Sequence, residues 1–202
     1  MTLEPGNLLA ARQRDSILGR RKGQNLSITL VLGGARSGKS AYAESLILGQ
    51  AERAVYLATS EPLDGEMAER IRKHLERRDA RWETREEPLD LVSVLLDATR
   101  PHRPILVDCL TLWLSNLLHA GRDIDSEIAA LVAVLPRLDG SVVIVSNEVG
   151  LGIVPDNALA RAFRDHAGRL HQAVAAVADT VVFVVAGLPM TLKSPPSTGL
   201  QP

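Results

Sequence analysis

The residues Gly33-Gly34-Ala35-Arg36-Ser37-Gly38-Lys39-Ser40 satisfy the pattern G-x-x-x-x-G-K-[ST] in full, and they follow directly on the apolar run Thr29 to Leu32. The pattern has one structural setting: a strand that ends at the first glycine and a helix that starts at the lysine. With glycine near 7% of average usage, chance alone would give it in roughly one chain of this length in a hundred. The apolar run before it and the helix-capable stretch Ala41 to Leu48 after it lower that chance further. Such a chain must build a strand, a phosphate-sized loop and a helix in that order.

Further apolar runs recur at Val55 to Thr59, Pro104 to Asp108, Val142 to Ser146 and Thr180 to Ala186, each short and rich in β-branched residues. Their length and composition predict buried strands. Helical spacing lies between them; Leu159, Phe163, Leu170, Val174 and Val177 step by three, four or seven residues. Strands alternating with helices predict parallel β-α-β units with right-handed crossovers. The expected fold is therefore α/β, a P-loop NTPase-type (RecA-like), mostly parallel sheet sandwiched by helices. Arg81 to Arg85, alternating around Trp82 and Thr84, predicts one more exposed strand. The expected organisation is one domain over 27–193, with flexible extensions at 1–26 and at the Pro/Ser-rich end, 194–202.

Charge excludes some partners. Lys plus Arg (23) nearly cancels Asp plus Glu (24), so no global field draws the chain to nucleic acid or to an anionic membrane. The first residues, basic at Arg12, Arg14, Arg20, Arg21 and Lys22 with only short apolar runs, predict neither a signal segment nor a membrane span. The one cysteine, Cys109, cannot form an internal disulfide, and its neighbours Val107 and Leu110 predict a buried strand residue more than a reactive thiol. A reducing cytoplasm is the expected setting.

The loop's residue types serve separate chemical ends. Gly33 and Gly38 allow backbone conformations that a Cβ would block, so successive N–H groups can face phosphates. The following helix adds the positive end of its dipole. Lys39 is placed to reach the β and γ phosphates of a nucleoside triphosphate, and the Ser40 hydroxyl to ligate Mg2+. Asp108, at the end of the run Ile105-Leu106-Val107, is the expected second carboxylate on the metal side, at the edge where open α/β sheets bind ligands. Arg36 is either a further phosphate contact or a solvated loop residue.

Beyond Val55 to Thr59, the sequence from Met67 to Arg78 predicts a helix with Met67, Ile71 and Leu75 on its buried stripe. Arg70, His74 and Arg78 follow the same spacing alongside. Two neighbouring cations disfavour the imidazolium, which leaves a ring nitrogen of His74 free to attack an electrophile. A neutral histidine among phosphate-binding charges suits a nucleotidyl-histidine intermediate. A solvated basic helix face is the competing reading.

GGARSGKS, VYLATS, ERIRKH, RWETREEP, ILVDCLTLWLSNLL, SNEVGLGIVP and RLHQAVAAVAD occur in that order. Together they resemble the bifunctional adenosylcobinamide kinase/adenosylcobinamide-phosphate guanylyltransferase family of cobalamin biosynthesis, over about Ser27 to Lys193. The resemblance implies two reactions: phosphorylation of the aminopropanol hydroxyl of adenosylcobinamide by ATP or GTP, then transfer of GMP from GTP through a histidine to adenosylcobinamide phosphate. It places His74 as the guanylylated residue. It implies nucleotide contacts from Gly33, Gly34, Ala35, Arg36, Ser37, Gly38, Lys39 and Ser40, from Ala58, Thr59 and Ser60, from Leu75, Glu76, Arg77 and Arg78, and from Glu86 and Asp108. Glu86 suits the N1–H and N2–H₂ donors of guanine, although a surface acid before Pro88 is the plainer reading. The resemblance also implies a homotrimer. Ser146-Asn147-Glu148 and the loop with Gly150 and Gly152 are expected to shape the corrinoid site. The extension before Ser27 departs from the family's compact pattern.

Two other readings stay open on sequence grounds. One is a monofunctional P-loop small-molecule kinase or ATPase in which His74 is structural. The other is a nucleotide-dependent regulatory or scaffold subunit without turnover.

Overall fold

The computed structural model describes residues 27–60 and 80–195. The expected helix around His74, the expected extension at 1–26 and residues 196–202 lie outside the described residues.

The chain opens with β1 (Ile28–Gly33), the loop, and α1 (Lys39–Leu48), followed by β2 (Ala54–Ala58). Then come β3 (Trp82–Glu86), α2 (Leu91–Ala98), β4 (Ile105–Asp108), α3 (Leu110–His119), α4 (Ile124–Val134) and β5 (Val142–Asn147). The long α5 (Ala158–Val177), β6 (Thr180–Val185) and β7 (Leu188–Lys193) complete the described residues. All seven strands form one sheet in the order β3-β2-β4-β5-β1-β6-β7. Every pairing is parallel except β6 with β7. One strand, β5, separates the strand of the phosphate loop from the strand that ends in Asp108.

The five expected strands form within a residue or so of their predicted bounds, because continuous apolar β-branched runs are stable only where both faces are covered. One core layer joins Leu30, Leu57, Val107 and Ile144 to α2, α3, α4 and α5, with Trp113, Leu114 and Leu170 fully buried. The opposite layer packs Val31, Tyr56, Leu106 and Val145 against Ala43 and Ile47 of α1. Helix starts are set by caps: the Asp123 carboxylate accepts from Asp125 N at 3.1 Å and Ser126 N at 3.2 Å, and Asn157 Oδ1 accepts from Leu159 N at 2.7 Å.

The exposed strand expected at Arg81 to Arg85 forms as β3, an edge strand parallel to β2. Charge guards this edge: Arg85 pairs with Glu83 at 2.9 Å and with Asp97 at 2.7 Å, and Arg103 also pairs with Glu83. Strand β7 was not expected. It is joined to β6 by a two-residue turn, Ala186-Gly187, with φ of 51° and 81°. Positive φ at both positions is the geometry that lets a two-residue hairpin follow the natural twist of its strands. No helix among the described residues is long and apolar enough to cross a membrane.

Candidate functional site

Parallel strands share one C-terminal edge, and period two decides which of their last residues face the same side. Register pairs Gly33 with Asn147, and pairs Ala58 with both Asp108 and Glu86. Asp108 pairs with Val145, two residues before Asn147. Gly33, Asn147, Asp108, Ala58 and Glu86 therefore sit on the α1 face along one rim, with the phosphate loop at one end.

The loop is shaped by close approach. A Cβ on Gly33 would lie 2.5 Å from Ser37 Oγ and 2.7 Å from Val184 O, so only glycine lets the loop turn back over β6. Gly38, directly before α1, has φ +92°, in the left-handed region that favours glycine. The loop is braced from outside by Gly187 N, which donates to Ser37 O at 2.8 Å. Inside it, Lys39 Nζ donates to Gly34 O at 3.2 Å, so the ammonium lies folded over the loop. Ser37 Oγ is buried without a hydrogen-bond partner among the described residues. An orphaned buried hydroxyl beside a folded-in ammonium, at a helix start, is what a cradle for an anion should contain.

Asp108 ends β4 and its Oδ2 accepts from Tyr56 Oη at 2.6 Å. Behind it, Thr59 has no exposed surface, and its Oγ1 accepts from Cys109 N at 2.9 Å and donates to Cys109 O at 2.8 Å. Thr59 N donates to Asp108 O at 3.1 Å, and Asn116 Nδ2 donates to Thr59 O at 2.7 Å. Every polar group of Thr59 is thus engaged in joining the ends of β2 and β4. The peptide between Asp108 and Cys109 is cis. Cys109 is buried, as expected, though it sits just past β4 and caps α3. Burial, and then the Asp108 charge, push its thiol up to about 11, with Lys39 among the groups pulling the other way.

The residues fit a hydrated divalent cation. Among the described residues no three His, Cys, Asp or Glu side chains cluster as a protein-only metal site. A hydroxyl such as that of Ser40 and a carboxylate such as that of Asp108 are instead donors of the type taken by a cation that completes its shell with phosphate oxygens and water.

The remaining sequence-predicted residues divide. Ala35 and Arg36 are exposed, Arg36 with φ 55°, and Gly34 is half-buried at the loop's outer turn. Ala58 is buried and Ser60 half-buried after β2, while Glu86 is exposed at the end of β3. His74, Leu75, Glu76, Arg77 and Arg78 lie outside the described residues. Sequence reasoning did not single out Tyr56, Asn116 or Thr111, whose Oγ1 accepts from Asn147 N at 3.1 Å. Tyr56 had one available signal, since it stands two positions before Ala58 and so shares its face.

The loop after β5 leaves the same edge. Glu148 N donates to Gly33 O at 3.0 Å, and Ser146 Oγ lies 2.8 Å from His171 Nε2 of α5. Leu151, Ile153 and Val154 beyond it are exposed.

Comparisons with known proteins agree with one another. A sequence model of the family described as cobinamide kinase / cobinamide phosphate guanyltransferase matches residues 29–192. The bifunctional adenosylcobalamin biosynthesis protein CobP of Pseudomonas aeruginosa is 50% identical over 169 residues, 83% of this chain and 98% of that protein. CobU of Salmonella typhimurium, with the same description, is 46% identical over 81% of this chain and 98% of its own length. CobU of Escherichia coli is 42% identical over the same shares. In fold, the flagellar accessory protein FlaH of Methanocaldococcus jannaschii aligns with a TM-score of 0.48 at 12% identity, over 91% of this chain and 84% of that one. That likeness is too loose to bear on function.

Proposed function

Because the chain belongs to the cobinamide kinase / cobinamide phosphate guanyltransferase family, we propose that it carries out both of that family's reactions, in adenosylcobalamin biosynthesis, on one nucleotide-binding rim. The observation that carries this reading is the rim itself: a glycine-lined cradle with Lys39 folded into it, on the same face as the Asp108 carboxylate.

In the first reaction the loop N–H groups and Lys39 hold the β and γ phosphates of ATP or GTP. The aminopropanol hydroxyl of adenosylcobinamide attacks the γ-phosphorus and gives up its proton to solvent, and the bond from that phosphorus to the β–γ bridging oxygen breaks, so that ADP or GDP leaves. Ser40 and Asp108 hold Mg2+, which supplies charge neutralisation at the phosphate oxygens. In the second reaction a ring nitrogen of His74 attacks the α-phosphorus of GTP and pyrophosphate leaves. A phosphate oxygen of adenosylcobinamide phosphate then attacks the same phosphorus, the P–N bond breaks, and adenosylcobinamide-GDP is released with the imidazole restored. Arg77 and Arg78, with Leu75 and Glu76, border the nucleotide beside His74. Glu86 accepts from the guanine N1–H and N2–H₂. Arg36, at the loop's exposed turn, meets the phosphates from the solvent side. The exposed Leu151, Ile153 and Val154 receive the corrinoid. The assembly is a homotrimer working in the cytoplasm, where both nucleotides are available.

The test is incubation with α-labelled GTP and magnesium. A histidine phosphoramidate hydrolyses in acid and survives base, so the label should be acid-labile and absent from His74→Ala, which should keep its kinase turnover. Acid-stable label, or full guanylyl transfer by His74→Ala, would leave a monofunctional P-loop kinase as the better reading.

A further inference from the structure

We infer that Tyr56 is a positioning residue for this chemistry: its phenol holds the Asp108 carboxylate in the orientation that presents one oxygen to a nucleotide-bound divalent cation. The inference rests on the assignment of Asp108 and Ser40 to that cation. Tyr56 and Asp108 are on neighbouring strands, β2 and β4. Tyr56 pairs with Leu106 and Ala58 with Asp108, so the tyrosine stands one pleat back from the rim, on the same face as the carboxylate. Its side chain reaches diagonally forward, and Oη donates to Asp108 Oδ2 at 2.6 Å.

The ring has the constraints of a fixed support. It is 2% exposed and packs in the layer under α1. It also stands edge-on to Trp82, with centroids 5.7 Å apart and an interplanar angle of 79°. A hydroxyl carried by so confined a ring has little freedom to follow a moving partner, so the carboxylate must conform to it. A hydrogen bond to a charged acceptor is short and strong, and this one takes up Oδ2. Oδ1 is then left at a fixed angle on the rim. Orientation set before the ligand arrives need not be imposed during binding, which is the general advantage of a supporting partner behind a metal-binding carboxylate. A purely structural tyrosine would need only some acceptor for its hydroxyl. Here the acceptor is the carboxylate that ends β4 beside the phosphate loop.

The experiment follows binding of a fluorescent GTP analogue to the whole chain as Mg2+ is raised, with affinity in EDTA as the baseline. Tyr56→Phe keeps the ring and its contact with Trp82. It should raise the Mg2+ concentration at half-maximal tightening about tenfold, the usual scale for loss of a supporting hydrogen bond behind a metal ligand. Affinity in EDTA should be unchanged. Asp108→Asn should shift the midpoint at least as far. A Tyr56→Phe midpoint equal to that of the unaltered chain, while Asp108→Asn shifts, overturns the inference and leaves the cation assignment standing. If neither substitution moves the midpoint, the cation assignment fails and the inference falls with it. A Tyr56→Phe chain that does not fold also overturns it, since the hydroxyl would then serve the core.

Discussion

Thr59→Val takes one hydroxyl from the point where β2 and β4 are joined and alters side-chain volume very little. Two hydrogen bonds go with it, one accepted from Cys109 N at 2.9 Å and one donated to Cys109 O at 2.8 Å. Their loss is unequal. Cys109 O still accepts from Trp113 N at 3.2 Å, so the carbonyl remains satisfied. The Cys109 N–H, facing a methyl group, does not. An orphaned buried donor costs about 1–3 kcal/mol, and the carbonyl's lost second bond adds a few tenths to about 1 kcal/mol. The expected destabilisation is about 2–3 kcal/mol. Urea unfolding should show it as a lower midpoint with unchanged slope, and at about 2–4 °C per kcal/mol for a domain of this size Tm should fall by roughly 4–12 °C. Thr59→Ser keeps the hydroxyl, loses one methyl group and should cost only about 1 kcal/mol. If Thr59→Val unfolds with the unaltered protein, or Thr59→Ser falls as far as Thr59→Val, the hydroxyl is not what joins the two strands.

Gly33→Ala should abolish nucleotide binding while leaving most of the sheet, because the new methyl would meet Val184 O at 2.7 Å, a backbone atom that cannot step aside without dragging β6; calorimetric titration with GTP checks this, and unchanged affinity would refute it. Cys109 should make stability fall in alkali. Its thiol is raised from an ordinary 9.0 to about 11 in the fold, so above pH 9 the unfolded chain gives up a proton that the native state retains. Stability from this group is whole below pH 9 and drains away as pH climbs towards about 11, by roughly 3 kcal/mol in total. Cys109→Ala should flatten that part of the pH–stability curve, and in the native protein an alkylating reagent should label Cys109 only as fast as the chain opens.

Much of this was legible because single short segments carried it. The cradle is eight consecutive residues, and Asp108 is announced by the apolar run before it. The five inner strands read as continuous apolar runs because both of their faces are covered. Strand β7 is a different case: Leu188, Met190 and Leu192 alternate with Pro189, Thr191 and Lys193, but the run is not continuously apolar, its apolar side chains are exposed, and a proline inside it argues against a paired strand. Its turn, Ala186-Gly187, lacks the Asn-Gly or Asp-Gly signature that usually marks such a hairpin. The supports of the site were hidden by distance along the chain. Thr59 meets Cys109 fifty residues away, and Tyr56 meets Asp108 across fifty-two. Such pairs are made by the order of strands in the sheet, and no local spacing encodes them. Only face parity, readable once strand ends are fixed, brings Tyr56 and Asp108 to the same side.

The hairpin turn does more than reverse the chain. Gly187 N is spent on Ser37 O, and its Cα stands 3.1 Å from where a Cβ on Gly38 would be. The corner that sets the register of the last two strands is thus also the backstop of the anion cradle. Lengthening that corner by a residue, or pulling on the apolar outer strand it anchors, deforms the cradle directly, so the far end of the sheet and its grip on phosphate form a single mechanical part.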